Sequence, residues 1–524
     1  MNLITDPWIP VIRKDGTDTI MPWQIAEAEN PVIEINAPRP DFQGALYQFL
    51  IGLLQACFAP EDEDVWEEYW KKFPEPNELR NAFGKVENAF KLDNPDGPAF
   101  MQDYDLPDGE PKKIAALLIE APGGKTLKDN LDHFVKRDQI NYLCSACTAT
   151  ALFTLQTNAP SGGSGHRVGL RGGGPLTTLI MPATIDASLW EKLWLNVLNQ
   201  EEISGTEPME SSVMPWLGAT RLSEKTGAIT TPNDVHALQM YWGMPRRIKL
   251  LKNEGNGKCD LCGKQTTSVY KSYRTKKHGI NYDGPWVHPL TPYRFDPKKK
   301  NLPFSIKGQK GGLGYKHWLG LALQDAEMGN KAATIVQVFN DERGRSLLNS
   351  YSASLWCFGY DMDNMKARCW YDSHFPIFAL NDRQKINLVD WAGELIQAAR
   401  EVVKILRGEI KSAWFRRPGD AKGDMSIIDQ QFWEKTEPDF YRLLDKLAKL
   451  PSETRMAPSE IYLGWFKVLE KFVFQIFEKT TLGSTPEDLD LKRIISAQQT
   501  LRKKFYGNKS IKNLKAKATH EEEA

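Results

Sequence analysis

Two Cys-x-x-Cys pairs, Cys144-Ser-Ala-Cys147 and Cys259-Asp-Leu-Cys262, are separated by 111 residues and constrain this chain more than any other feature. Thiolates two residues apart turn back onto one ion, and two such knuckles supply the four sulfurs of a closed tetrahedral Zn2+ site. A shared structural zinc would staple distant segments of the chain together. Gly257 and Gly263 flank the second knuckle and suit its turn. Separately buried thiols and a redox pair are the competing explanations. Cys57, Cys357 and Cys369 have no partner at such spacing and read as core residues. Seven cysteines in 524 residues do not make a disulfide framework.

A chain of this length has room for about two to four domains with real cores. Its 67 Lys and Arg balance 67 Asp and Glu, which argues against a partner held by net charge alone. The charges are nevertheless segregated. Acids cluster at Glu61 to Glu68 and again at Asp103, Asp105, Asp108 and Glu110, whereas residues 241–320 carry seventeen Lys and Arg against four acids, a local charge of +13. The amino end lacks the basic-then-apolar pattern of a secretory signal. No apolar run approaches the roughly 20 residues needed to span a bilayer, so a soluble, cytoplasmic protein without a membrane partner is expected.

Texture along the chain predicts an α+β protein. Residues 1–378 read as a large mixed α/β domain, with strands at Trp8 to Ile12 and Thr177 to Ile180 and an amphipathic helix over Phe42 to Phe58. Residues 379–508 read as a four-helix bundle, marked by Leu388-Trp391-Leu395, Phe432-Phe440-Leu443, Ile461-Trp465-Val468 and Leu489-Ile494-Leu501. Residues 509–524 read as a polar, disordered tail.

Catalytic motifs fail on inspection. Gly124-Lys125-Thr126 resembles the end of a phosphate-binding loop, but Ile119 stands where its first glycine belongs. Ser164 lies between glycines like a nucleophile elbow, yet His166 replaces the closing glycine. The eight histidines are scattered. The pattern favours a binding protein over an enzyme, leaving a zinc-dependent nuclease and a purely structural scaffold as alternatives. Two segments suit nucleic acid. The loop Ser161 to Gly174 lets backbone approach a ligand closely, with Arg167 and Arg171 placed to anchor phosphates. Tyr270 to Lys277 interleaves aromatic and basic residues, as phosphate-tracking segments do and as solvated hairpins also do.

Several blocks, taken in order, resemble the CasA family, the large subunit of the type I-E CRISPR surveillance complex Cascade. They are Met1-Asn2-Leu3 with Asp6 and Trp8 to Val11, Leu143 to Ala149, Ala159-Pro160 with Gly169 to Gly173, Gly257 to Gly263, Trp286 to Pro289, and Gly359-Tyr360. The resemblance implies a protein that inspects double-stranded DNA for the protospacer-adjacent motif, largely from the minor groove. It assigns a glycine loop to Gly163, Ser164 and Gly165, a lysine finger to Lys277, and a strand-separating wedge to Asn364. Ser164 stands where glycine is familiar and Asn364 where glutamine is. Phe134, Val135 and Lys136 match the segment that touches the crRNA-bearing backbone. The resemblance further implies contact of the helical bundle with the small subunits, R-loop formation with the crRNA, and recruitment of a separate helicase-nuclease.

Overall fold

Alternation at Ile9 and Val11 starts a small antiparallel sheet at the amino end. It comprises β1 (Ile9–Arg13), β2 (Gly16–Ile20) and β3 (Val32–Ile35), in the order β2-β1-β3. The computed structural model describes residues 1–519 except 122–127, 129–137, 164, 185, 204–210, 225–227, 297, 299, 309, 345–352, 364, 421–422 and 484–489. Contacts divide the chain into two units. One is Met1–Gly308 with Ala333–Ile335 and Tyr351–Asp372; the other is Gln309–Ala332 with Val336–Ser350 and Ser373–Ala524.

The first unit is built around α1 (Pro40–Cys57), which has proline in its first turn, where the missing N–H costs nothing. Phe49 on α1 is the hub of its core. The rings of Trp8, Phe90, Phe100, Phe153 and Trp242 all meet it nearly edge-on, the nearest at 5.3 Å between centroids. This arrangement sets the positive edge of one ring against the negative face of another.

A second sheet positions the site. It contains β4 (Lys112–Lys113) and β5 (Leu143–Cys144), the latter leading directly into α2 (Ser145–Asn158). After β6 (Thr177–Pro182) in another sheet come the long strands β7 (Arg247–Lys258) and β8 (Gln265–Lys276). These pair antiparallel from Lys258↔Gln265 at the turn to Arg247↔Lys276 at the open end. The other edge of β8 takes β4 at Lys112↔Tyr273 and β5 at Cys144↔Val269. A third sheet, ordered β10-β9-β6, is completed by β9 (Ala353–Asp363) and β10 (Lys366–Pro376).

The second unit contains α3 (Asp382–Trp414), α4 (Ser426–Ala448), α5 (Ser459–Thr481) and α6 (Leu491–Gly507). Asn381 caps α3 by accepting the Gln384 N–H, while Gln384 reaches back to the Asn381 N–H. In the core, Trp465 donates to the Leu395 carbonyl at 2.8 Å, and the Tyr315 ring stacks on Phe440 with 4.3 Å between centroids. Tyr315 shows that this unit starts before residue 379, because the segment carrying it packs with the helices.

The α+β class, mixed α/β followed by carboxy-terminal helices, is as expected. The tail is different. A further helix, α7 (Lys509–Thr519), occupies much of the stretch that reads as disordered, with Ile511 and Leu514 buried and Lys517 paired with Glu394. Two apolar residues three apart are a thin stripe among lysines, so the burial that orders them is not visible in composition. Leu514→Ala is expected to destabilise the helical unit by about 2–5 kcal/mol. Urea unfolding of the full chain checks this, and an unchanged transition would detach α7 from the core.

Candidate metal centre and nucleic-acid interface

The two Cys-x-x-Cys pairs meet at the turn of the β7–β8 hairpin. The Sγ atoms of Cys144, Cys147, Cys259 and Cys262 all lie within 4.8 Å of one another, with Cys144 and Cys262 at 3.7 Å. Four sulfurs about 2.3 Å from zinc stand about 3.8 Å apart in a tetrahedron, so the set fits one such ion. When bound, zinc would supply four metal–thiolate bonds cross-linking β5 and α2 to the hairpin turn. Hydrogen bonds from Cys144 and Cys147 hold Cys262 down to about 6 and also lower Cys259, whereas the Cys144 and Cys147 thiols are themselves raised, so without an ion two of the four sulfurs favour the thiolate and two the thiol.

The backbone prepares this meeting. Cys144 caps α2, its sulfur accepting the Cys147 N–H at 3.4 Å. The second knuckle closes through Cys259 N–H to the Lys264 carbonyl and Gly263 N–H to the Cys259 carbonyl, each 2.9 Å. Gly263 has φ +73°, which glycine adopts without strain. Asp260 ties the two chain segments together. Its carboxylate accepts the N–H groups of Asn141 at 2.6 Å and Tyr142 at 2.8 Å. Its position between two ligands is the one signal that singles it out in the sequence.

At the open end of the same hairpin the loop carrying Gly163 and Gly165 meets Lys277 and His278. His278, in a left-handed conformation at φ +65°, donates its backbone N–H to the Gly165 carbonyl at 2.6 Å. Gly165 has φ +80°, and a Cβ there would lie 2.9 Å from the Cβ of Lys277. Only glycine allows this approach. Gly163 is exposed, with open space where its Cβ would be. Lys277 is also exposed, and among the described residues no carboxylate pairs with it. A cleft of about 470 Å³ opens beside it, lined by Lys112, His166, Lys276, Lys277 and His278 among others. Burial, reinforced by the charges of Arg246, Lys112, Lys277 and His278, pushes the His166 pKa down to about 4. Sequence reasoning missed Lys112 and His166 as neighbours of Lys277, because strand pairing and a loop turn bring them there.

Other expectations change. Arg171 is buried and cannot meet a phosphate: its guanidinium donates to Thr177, Thr291 and Gln48. Arg167 is occupied by Ser223 and the Glu224 carbonyl. Tyr270 and Tyr273 are buried, so the aromatic residues of β8 pack inward and offer no stacking platform. The acidic stretch folds against the basic one, pairing Asp103 with Arg247 and Asp108 with Arg274. Ser164, Asn364, Phe134, Val135 and Lys136 lie outside the described residues. Beside position 364, Arg368 braces the hairpin by pairing with Asp361 at 2.7 Å and Asp363 at 3.5 Å, while Met365 is exposed.

Elemental analysis of the purified protein is expected to find about one zinc per chain, lost on Cys259→Ser, since three sulfurs no longer close the shell. Less than about half an equivalent in the unaltered chain would remove the assignment. His166 generates a second expectation. Its folded pKa of about 4 lies below the ordinary 6.5, so the unfolded chain binds the proton more readily. The stability contributed by neutral His166 is complete above about 6.5 and is lost as pH falls towards 4. Unfolding midpoints at pH 7.5 and 5 should therefore differ less in His166→Gln than in the unaltered chain.

The profile of the family described as CRISPR-associated protein Cse1 matches residues 2–476. A curated relative, the CRISPR-associated protein CasA/Cse1 of Thermus thermophilus, is 26% identical over 263 residues, covering 49% of this chain and 50% of the relative. The match thus spans about half the length of that relative. The solved structure of Thermus thermophilus CasA (Cse1) aligns with TM-score 0.69 at 18% identity, covering 97% of this chain and 99% of that one. A chain in the solved structure of a CRISPR RNA-guided surveillance complex aligns with TM-score 0.67 at 15% identity, covering 97% and 99%. With the family profile running from the first strand into α5, the chain belongs to the CRISPR-associated protein Cse1 family.

Proposed function

We propose that this chain is the large subunit of a CRISPR RNA-guided surveillance complex. In this reading it recognises a protospacer-adjacent motif in double-stranded DNA and opens the neighbouring base pairs for the crRNA. The observation that carries the reading is the meeting of Gly165 and the exposed Lys277 at the open end of the β7–β8 hairpin. A cation on a long side chain reaches into a narrow groove, and a loop bare of side chains lets backbone follow it. Minor-groove edges are degenerate, so such a reader tolerates several motifs and senses groove width as well as hydrogen-bond pattern.

Asn364, which falls between β9 and β10 in the sequence, acts as the wedge. Separating each base-pair step costs about 1.4 kcal/mol, which pairing with the guide offsets. The protein reads the motif and the RNA reads the sequence. Phe134, Val135 and Lys136 would contact the crRNA-bearing backbone subunits, and the helical unit the small subunits and the helicase-nuclease. The subunit itself does not cut: four thiolates fill a zinc shell and leave no position for an activated water, which disfavours the zinc-nuclease alternative. Guide RNA and invading DNA meet in the cytoplasm. Among the described residues, no helix is long and apolar enough to cross a membrane.

Lys277→Ala is expected to weaken motif-dependent duplex binding by the assembled complex by about 1–3 kcal/mol while assembly is unchanged. Equal affinity at equal salt would count against the finger. Asn364→Ala is expected to slow R-loop formation with duplex docking kept, and normal R-loop rates would move the wedge to another residue.

A further inference from the structure

The cleft beside Lys277 gathers hydrogen-bond donors from three separate elements, two lysine ammoniums and the imidazole of His166, which is neutral near pH 7. Lys112 comes from β4, His166 from the glycine loop, and Lys276 from the last position of β8. Arg246 stands close by. Its guanidinium donates to the Pro160 carbonyl, while its Nε is buried without a partner among the described residues, as is Nδ1 of His278. Two acids of the neighbouring stretch are engaged, Asp103 by Arg247 and Asp108 by Arg274, and among the described residues no carboxylate lines the cleft. Burial and its cationic neighbours alone depress His166, and burial with Arg246 also lowers Lys112. Converging donors with no carboxylate among them suit an anion.

We infer that Lys112, His166 and Lys276 form a receptor for one backbone phosphate of the DNA duplex whose groove Lys277 enters. The inference rests on the proposed DNA reading and deepens it. The two contacts divide the work. A phosphate contact fixes where the duplex sits and carries no sequence information, whereas Lys277 reads the groove. The docked phosphate sets the register at which the motif is tested.

The test measures duplex affinity of the assembled complex at several salt concentrations, for the unaltered chain, Lys112→Gln and Lys112→Arg. Lys112→Gln should bind about tenfold more weakly, as expected for one charge-assisted contact, and its log–log salt slope should be shallower by about 0.9. Motif preference should not change, and Lys112→Arg should restore affinity. A series of duplexes, each with one neutral methylphosphonate, should contain one position that weakens the unaltered chain about tenfold but does not weaken Lys112→Gln further. Unchanged affinity and slope in Lys112→Gln, or an altered motif preference, would overturn the receptor while leaving the DNA reading intact. Loss of guide RNA from the complex, with duplex binding per assembled complex unchanged, would also overturn it in favour of an RNA contact. Absence of motif-dependent binding by the unaltered complex would overturn the DNA reading and this inference with it.

Discussion

Backbone hydrogen bonds between β7 and β8, twelve residues each, hold two different chemistries at opposite ends of one hairpin. At a rise of about 3.3 Å per residue, the ends are some 35–40 Å apart. Four cysteine sulfurs gather where the turn meets β5 and α2; the open end presents Lys277 against Gly165. The thiol cluster therefore lies out of reach of the groove position that Lys277 enters in the proposed reading. With an ion bound, the cluster would fix the hairpin against the segment carrying Lys112, because the edge of β8 that takes Cys144 also takes Lys112. A slip in that register would turn every side chain of β8 to the opposite face.

Charge pairing refines what the hairpin presents. Asp103 is fully buried against Arg247, and breaking such a pair typically costs about 3–5 kcal/mol because it strands a desolvated charge. Arg274 is partnered by Asp108. These acids consume the arginines that build the sheet and leave Lys112, Lys276 and Lys277 at the cleft. A neutral chain can thus carry a concentrated positive site. Modest overall charge also suits the proposed role, in which many DNA sites are sampled and most are left quickly.

The elements were legible where periodicity alone suffices. The strand at Ile9, the helix over Phe42 to Phe58 and the amphipathic helices after residue 380 follow from the spacing of apolar residues. The thiol cluster was legible because ligand spacing is local chemistry. Arg171 was misjudged because a guanidinium beside glycines looks the same whether it faces solvent or Gln48, Thr177 and Thr291. Tyr270 and Tyr273 misled for a related reason: on β8 their rings pack inward while Lys271 between them is exposed.

Residue types and short-range spacing, by themselves, determined the strand at Ile9, the helix over Phe42 to Phe58, the amphipathic helices after residue 380, the four candidate zinc ligands and the presence of a basic segment. Each depends on neighbours within about one turn or one strand, where geometry is set by the backbone. Tertiary structure alone decided which charges cancel and which remain. Coulombic pairing depends on distance in space, and Asp103 meets Arg247 only after the chain has folded. The same holds for the cleft. Lys112, His166 and Lys277 share it because strand pairing and a glycine turn converge there, and no spacing in the sequence encodes that convergence.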